Sequence, residues 1–330
     1  MKKQFNTLSL FDGLSGYQLA LQKAGITPTN YFASEIDQYA QKITMKNFPN
    51  TIQLGDVTKW QDWKLPKIHL LCGGSPCQDL SIANNNGKGL EGEKSSLFWI
   101  YVDILNALKP KYFVLENVAS MKTKDFVIIS NALGVEPIML DSQLLSAQRR
   151  KRYFWTNIPN VKRPQLVPSK LYPNNKIGLV IADILEENVT RKVVNIDPKR
   201  FIKTSYGVRW NKLRGNGQQG QHATSLNKKS STLNVKLQGG NVVITTNTHP
   251  QGQCAQTISE KSFSLMSRLE NKVNIVNEDL RIEQLTWIEL ERLMGLPDSY
   301  SDLGEGNNKT KHRGQAIGNG FQIDIMAHLL

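Results

Sequence analysis

Cys77 is the side chain whose neighbours best equip it to attack a substrate. It follows Gly73-Gly74-Ser75-Pro76 and precedes Gln78, so a short glycine-led loop carries it just past an apolar run. A free thiol is only a few per cent thiolate near neutral pH, yet it is intrinsically nucleophilic. A helix N-terminus and basic side chains nearby would lower its pKa. A lone cysteine is more often a small buried hydrophobe, and Cys72, inside Ile68-His69-Leu70-Leu71-Cys72, fits that description. A second group of residues points to a nucleoside-containing ligand. Phe11-Asp12-Gly13-Leu14-Ser15-Gly16 joins an apolar run to a helical pattern, and its glycines let backbone approach a ligand at a helix N-terminus. Glu35 ends the next apolar run, where a carboxylate can hold ribose hydroxyls, and Asp56 follows Gly55, where it could accept from an adenine amino group. The turn lacks the three-glycine dinucleotide fingerprint. On these residues alone NAD and S-adenosylmethionine both remain open.

The elements that must position these groups alternate in type. Strand patterns are read at 8–11, 31–33, 68–72, 112–115 and 135–140, and helical patterns at 15–24, in the stretch leading to Phe48, and at 95–108. Such alternation predicts an α/β fold with a mostly parallel sheet. Asp12, Glu35, Asp56, Cys77 and Glu116 all follow apolar runs. That is where ligands bind in such sheets, beyond the carboxyl ends of the strands. Residues 166–275 differ, being rich in Asn, Gln, Ser, Lys and Gly, with short β-branched runs. Within them Gly220–Ile244 resembles Gly252–Val276 at an offset of 32, suggesting two similar strand-turn-strand units. Helical patterns return near Leu285–Met294 and Phe321–Leu330.

Composition narrows the classes. The chain has 330 residues and a net charge of +13, with 39% hydrophobic residues, enough for a core. At roughly 150 residues per domain, two domains are expected. No apolar run approaches the roughly 18 residues of a membrane span, and no signal peptide is read at the start. Three cysteines require no disulfide framework and suit a reducing, intracellular compartment. The five histidines show no ligand spacing, and no metal is expected. The charge is uneven. Residues 166–275 hold 16 basic and 6 acidic side chains, whereas 276–330 hold 5 and 9. The middle block predicts a polyanionic partner.

The motifs, taken in order, resemble those of the cytosine-C5 DNA methyltransferases. Gly73-Gly74-Ser75-Pro76-Cys77-Gln78 resembles their nucleophile motif, and Glu116-Asn117-Val118 their Glu-Asn-Val motif. Gln148-Arg149-Arg150-Lys151-Arg152-Tyr153 fits their Gln-x-Arg-x-Arg pattern. The stretch from Arg281 to Pro297 resembles a late structural motif, and Gln315-Ala316-Ile317-Gly318-Asn319-Gly320 a final cofactor motif. The Ser-Pro-Cys form, with Phe11-Asp12-Gly13, is most similar to a bacterial or phage branch and to the vertebrate de novo enzymes. Two positions depart from the common pattern: Ser15 and Gly320.

The resemblance implies a Rossmann-like S-adenosylmethionine-dependent methyltransferase fold with an inserted, smaller, β-rich target-recognition domain. The catalytic domain would be discontinuous, 1–165 with 276–330, and the DNA reader would occupy 166–275. Cys77 would add to C6 of a flipped-out cytosine in duplex DNA, making C5 nucleophilic. Glu116 would protonate or hydrogen-bond N3, and so would need a raised pKa. Arg152, with Arg150, would hold the base carbonyl and a phosphate. The cofactor set carried over is Phe11, Asp12, Gly13, Gly16, Glu35, Ile36, Asp56, Pro76, Leu97 and Asn319. Asp79–Lys94 would act as a lid over the flipped base. Double-stranded DNA is the expected partner and the chain is expected to be a monomer. A cognate restriction endonuclease is a candidate partner, and a cytoplasmic, nucleoid-associated location is expected. RNA-directed relatives carry Pro-Pro-Cys and a Cys-Phe-Thr signature, and this chain has neither. A non-enzymatic DNA-binding scaffold and an NAD oxidoreductase are weaker alternatives.

Overall fold

The computed structural model describes residues 4–76, 97–170, 178, 179, 181–187, 189, 193, 194, 201–204, 207–210, 242–245, 254–257, 273–276, 282–304 and 310–330. The N-terminal part builds β1 (Asn6–Leu10), α1 (Gly16–Lys23), β2 (Asn30–Ser34), α2 (Gln38–Asn47), β3 (Ile52–Gln53) and β4 (Leu70–Gly73). After residues 77–96, outside the described set, come α3 (Leu97–Leu108), β5 (Tyr112–Val118), α4 (Thr123–Leu133), β6 (Ile138–Asp141) and β7 (Lys151–Thr156). The seven strands form one sheet in the order β3-β2-β1-β4-β5-β7-β6. β7 runs antiparallel to both its neighbours, and the pairings among the other strands are parallel. The strand order reverses between β1 and β4, so the Phe11–Gly16 turn and the Gly73–Pro76 loop leave the sheet side by side.

Alternation along the strands explains why helices cover both faces. On β7, Phe154 joins a cluster with Tyr17, Leu21, Leu293 and Met326, whereas the next residue, Trp155, joins Phe98, Tyr101, Ile104 and Ile129. Val114 and Leu115 of β5 divide in the same way. Successive side chains of a strand point to opposite faces, so a sheet buried on both sides shows near-continuous apolar runs. The helices α5 (Trp287–Leu293), α6 (Thr310–Asn319) and α7 (Ile323–Leu329) return to this body. α5 starts with a capping box, the Thr286 hydroxyl accepting from Glu289 N–H while the Glu289 side chain accepts from Thr286 N–H.

A second set of backbone ladders lies in the basic stretch. β8 (Val193–Val194), β11 (Val242–Thr245), β12 (Cys254–Thr257), β13 (Val273–Val276) and β14 (Ile282–Gln284) form an antiparallel sheet in the order β12-β11-β13-β14-β8. β9 (Phe201–Thr204) and β10 (Gly207–Trp210) form a separate antiparallel pair. The composition break between 275 and 276 falls inside β13, and β14 pairs with that strand, so this sheet runs on to Gln284. β11 and β13, which end the two copies of the weak repeat, are direct neighbours. Every identical pair of that repeat has at least one member outside the described residues.

Candidate active site

The cofactor-side turn is strained and tightly held. Phe11, Gly13 and Ser15 have φ of 56°, 59° and 63°. Non-glycine residues in this region cost of order 1–3 kcal/mol each and persist only where surroundings impose them. The surroundings here are specific. Asp12 N–H donates to the Ser34 carbonyl at 3.0 Å, and Gly13 N–H donates to Glu35 Oε2 at 2.8 Å. The Asp12 carboxylate accepts from Tyr31 OH at 2.7 Å and from Ser15 Oγ at 2.8 Å. Glu35 Oε1 also accepts from Ile36 N–H and Asp37 N–H, so one carboxylate ties the β1 turn to the start of α2. Asp12 is 6% exposed, and burial pushes its carboxyl up to about 6 against the pull of its hydroxyl partners.

The space beside this turn fits a nucleoside. A Cβ built on Gly13 or on Gly55, both at positive φ, would meet nothing within 4 Å. Ile36, which follows Glu35, is 72% exposed, an apolar surface that a base could cover. Asp56 caps the short 3-10 helix Val57–Asp62 through Thr58 N–H, and those hydrogen bonds hold its carboxyl below the usual range. Gly16 behaves differently. A Cβ there would lie 3.1 Å from Ile323 Cδ1 and 3.2 Å from Phe321 Cζ, so its bareness makes room for the C-terminal segment.

Both glycines of the Gly73-Gly74 pair are required by close approach. A Cβ on Gly73 would fall 2.8 and 2.9 Å from ring carbons of Tyr101, and one on Gly74 would fall 3.1 Å from Glu116 Oε2. Tyr17 OH donates to the Gly73 carbonyl at 2.8 Å, linking α1 to the end of β4. Asn117, 1% exposed, donates from Nδ2 to both the carbonyl (3.2 Å) and the hydroxyl (3.1 Å) of Ser75. The Glu-Asn-Val stretch therefore fastens the loop that leads to Pro76, the residue before Cys77. Glu116 Oε1 accepts from Arg152 Nε at 2.8 Å across the antiparallel β5–β7 pair. Beside Arg152 a cleft of about 460 Å³ opens, lined also by Ser120, Gln143, Arg149 and Lys151.

Arg150, expected beside the base or a phosphate, is directed elsewhere. It is 4% exposed, and its Nη2 donates to the carbonyls of Gly318 and Gly320, the residues that flank Asn319. The exposed Asn319 ends α6 and is thus held from behind. The rest of the C-terminal segment reaches α1 and the turn before it: Tyr300 OH donates to the Leu14 carbonyl, Lys23 pairs with Asp324 at 2.7 Å, and the Tyr17 and Phe321 rings lie 4.5 Å apart. Cys77 and the expected lid, Asp79–Lys94, lie outside the described residues, whereas Pro76 and Leu97 bracket them. Cys72 is fully buried, which pushes its thiol well up, as suits an inert core residue.

Asn117, Arg149 and Lys151 stand in the sequence only as parts of motifs, and Tyr17, Tyr31 and Tyr101 are not marked as site residues. The tyrosines carry no motif signal, and only the fold brings their hydroxyls or rings to these loops. Among the described residues there is no cluster of three potential metal ligands, and no helix is long and apolar enough to cross a membrane.

Comparison with known proteins agrees with this geometry. The family described as C-5 cytosine-specific DNA methylase matches residues 5–330. The chain is 31% identical over 210 residues to the orphan methyltransferase M.SPRI of Bacillus phage SPR, covering 60% of this chain and 46% of that protein. It is 27% identical over 317 residues to the type II methyltransferase M.HpaII of Haemophilus parainfluenzae, covering 91% of this chain and 82% of that one. The chain thus spans less than half of the phage relative it matches. Among solved structures, S. pombe Dnmt2 methyltransferase aligns over 99% of this chain and 97% of that one, with a TM-score of 0.56 and 15% identity, a likeness of fold. With a family match that runs nearly end to end, the chain belongs to the C-5 cytosine-specific DNA methylase family.

Proposed function

We propose that this protein transfers a methyl group from S-adenosylmethionine to C5 of a cytosine extruded from duplex DNA, through a covalent Cys77–C6 adduct. The observation that carries the reading is the joint between β4, β5 and β7: Asn117 anchors Ser75, and Glu116 lies over Gly74 while paired with Arg152. That joint holds a carboxylate and a guanidinium beside the loop that carries the thiol.

Cytosine C5 is a poor nucleophile. Addition of the Cys77 thiolate to C6 pushes electrons into the ring and makes C5 enamine-like. Glu116, in its protonated carboxyl form, stabilises the adduct by donating a hydrogen bond or proton to N3, and Arg152 orients both that carboxyl group and the base carbonyl. When bound, S-adenosylmethionine supplies an electrophilic methyl group. Glu35, Ile36, Asp56, Asn319 and the Phe11–Gly13 turn would hold it. Removal of the C5 proton by a base then lets Cys77 leave by elimination. Arg150 acts at one remove, by positioning Asn319. Arg149 and Lys151 in the adjoining cleft supply phosphate contacts, and the basic residues of 166–275 read the duplex.

Labelled S-adenosylmethionine incubated with duplex DNA, with tRNA and with no nucleic acid tests the reaction. Label in DNA alone is expected, and label in tRNA alone refutes the reading. Cys77→Ala should abolish both transfer and covalent trapping on 5-fluorocytosine DNA; full activity would remove Cys77 from its role.

A further inference from the structure

We infer that Asp12 is a specificity-determining residue: with Glu35 it forms an anionic wall behind the cofactor turn that favours the positively charged methyl donor over its neutral demethylated product. This rests on the proposed methyl-donor reading of the site and adds to it a source of discrimination between substrate and spent product.

The argument begins with a placement that is costly without a reason. A buried carboxylate is normally paired with a cation. Asp12 has hydroxyl partners instead, Tyr31 from β2 and Ser15 at the start of α1. Glu35, which follows β2 and touches the same turn through Gly13 N–H, is the charge that acts on it, and it has the same sign. The other titratable groups facing Asp12 are Cys72 of β4 and Tyr300 after α5, and each feels its negative charge. Both are neutral at ordinary pH, so among the described residues these elements supply no counter-cation. Among the described residues, nothing lies within 4 Å of a Cβ built on Gly13 or Gly55, so the turn leaves room there. A ligand that carries a sulfonium provides the missing positive charge, whereas the thioether left after methyl transfer does not. The two molecules otherwise share the same amino acid and nucleoside parts, so the sulfur charge is what the wall can distinguish.

A pair of unit charges some distance apart near a protein surface is worth on the order of tenfold in affinity. Binding constants for S-adenosylmethionine and S-adenosylhomocysteine, measured by calorimetry from pH 5 to pH 8 without nucleic acid, test this. In the wild type the ratio favouring the sulfonium should rise about tenfold as pH rises through the Asp12 transition near pH 6. In Asp12→Asn the ratio should be low and flat. Tyr31→Phe removes a donor that stabilises the carboxylate, so it should move the midpoint of the wild-type rise to higher pH, a shift that a purely structural role would not produce. A ratio that is the same in wild type and Asp12→Asn, with both molecules bound, overturns the inference and leaves the methyl-donor reading standing. Binding of neither molecule overturns both.

Discussion

Replacing Asp12 by Asn should make the protein more stable at neutral pH, although the change removes a charged group from a well-bonded site. The Asp12 carboxyl is raised from 3.8 to about 6 by burial. A group whose folded pKa lies above its unfolded value stabilises the fold fully below the unfolded value. That contribution is lost as pH rises through the folded one. At about 1.4 kcal/mol per pH unit, the displacement corresponds to about 3 kcal/mol. The ionised carboxylate therefore costs the folded state that amount above about pH 7, and almost nothing below about pH 4. Asn keeps the shape and carries no charge. Its carbonyl can accept from Tyr31 OH, and its amide can donate to Ser15 Oγ, which already has Gln18 Oε1 within 3.2 Å as an alternative acceptor. Urea unfolding of both proteins at several pH values, followed through the fully buried Trp155, gives the difference directly. The advantage of the Asn variant should grow from near zero at about pH 4 to about 3 kcal/mol at pH 7–8 and then level off. A difference that stays constant across that range, or falls with rising pH, refutes the assignment of a costly buried charge.

Other consequences are as direct. Arg150→Met should weaken cofactor binding, because the backbone on both sides of Asn319 loses its donor, while DNA affinity stays near wild type; calorimetry and a DNA gel-shift separate the two. Gly73→Ala forces a methyl group into the Tyr101 ring and should cost about 1–3 kcal/mol, read as a lower urea midpoint, with part recovered in the Gly73→Ala/Tyr101→Leu double variant. Arg149→Gln with Lys151→Gln should lower the slope of log affinity for DNA against log salt by about two, since each neutralised phosphate contributes about 0.9. An unchanged slope would remove the cleft from the DNA contacts.

Much of the catalytic body is legible in the sequence because its signals are local. Strands buried on both faces give unbroken apolar runs, so β1, β2, β4 and β5 stand out, although β5 runs on through Glu116 to Val118. β3 escapes because a two-residue strand offers no period. β7 escapes because Lys151 and Arg152 head it, and the charges needed at the site mask Phe154 and Trp155 behind them. α6 is hidden by Gly314 and Gly318 within it, residues that lower helix propensity. Gly16 and Arg150 show the other limit. Both lie in motifs that touch the ligand edge, yet one makes room for Phe321 and the other holds backbone. A motif records that a residue is needed and leaves open which neighbour needs it. β14 lies beyond the composition break and pairs with β13 by backbone, a link that leaves no basic signature in the sequence.

The contact of α1 with the segment from Phe321 to Leu329 also orders events on the ribosome. Lys23 and Tyr17 emerge early, and their partners Asp324 and Phe321 are made some three hundred residues later. Until then the face of α1 that carries Tyr17 and the bare Gly16 lacks its C-terminal cover, and the basic middle of the chain is already synthesised. Contacts of such large sequence separation close slowly, and an unclosed apolar face is where misassembly starts. On the proposed reading, the nascent chain would carry the charge that meets a duplex before it had a finished pocket for the methyl donor.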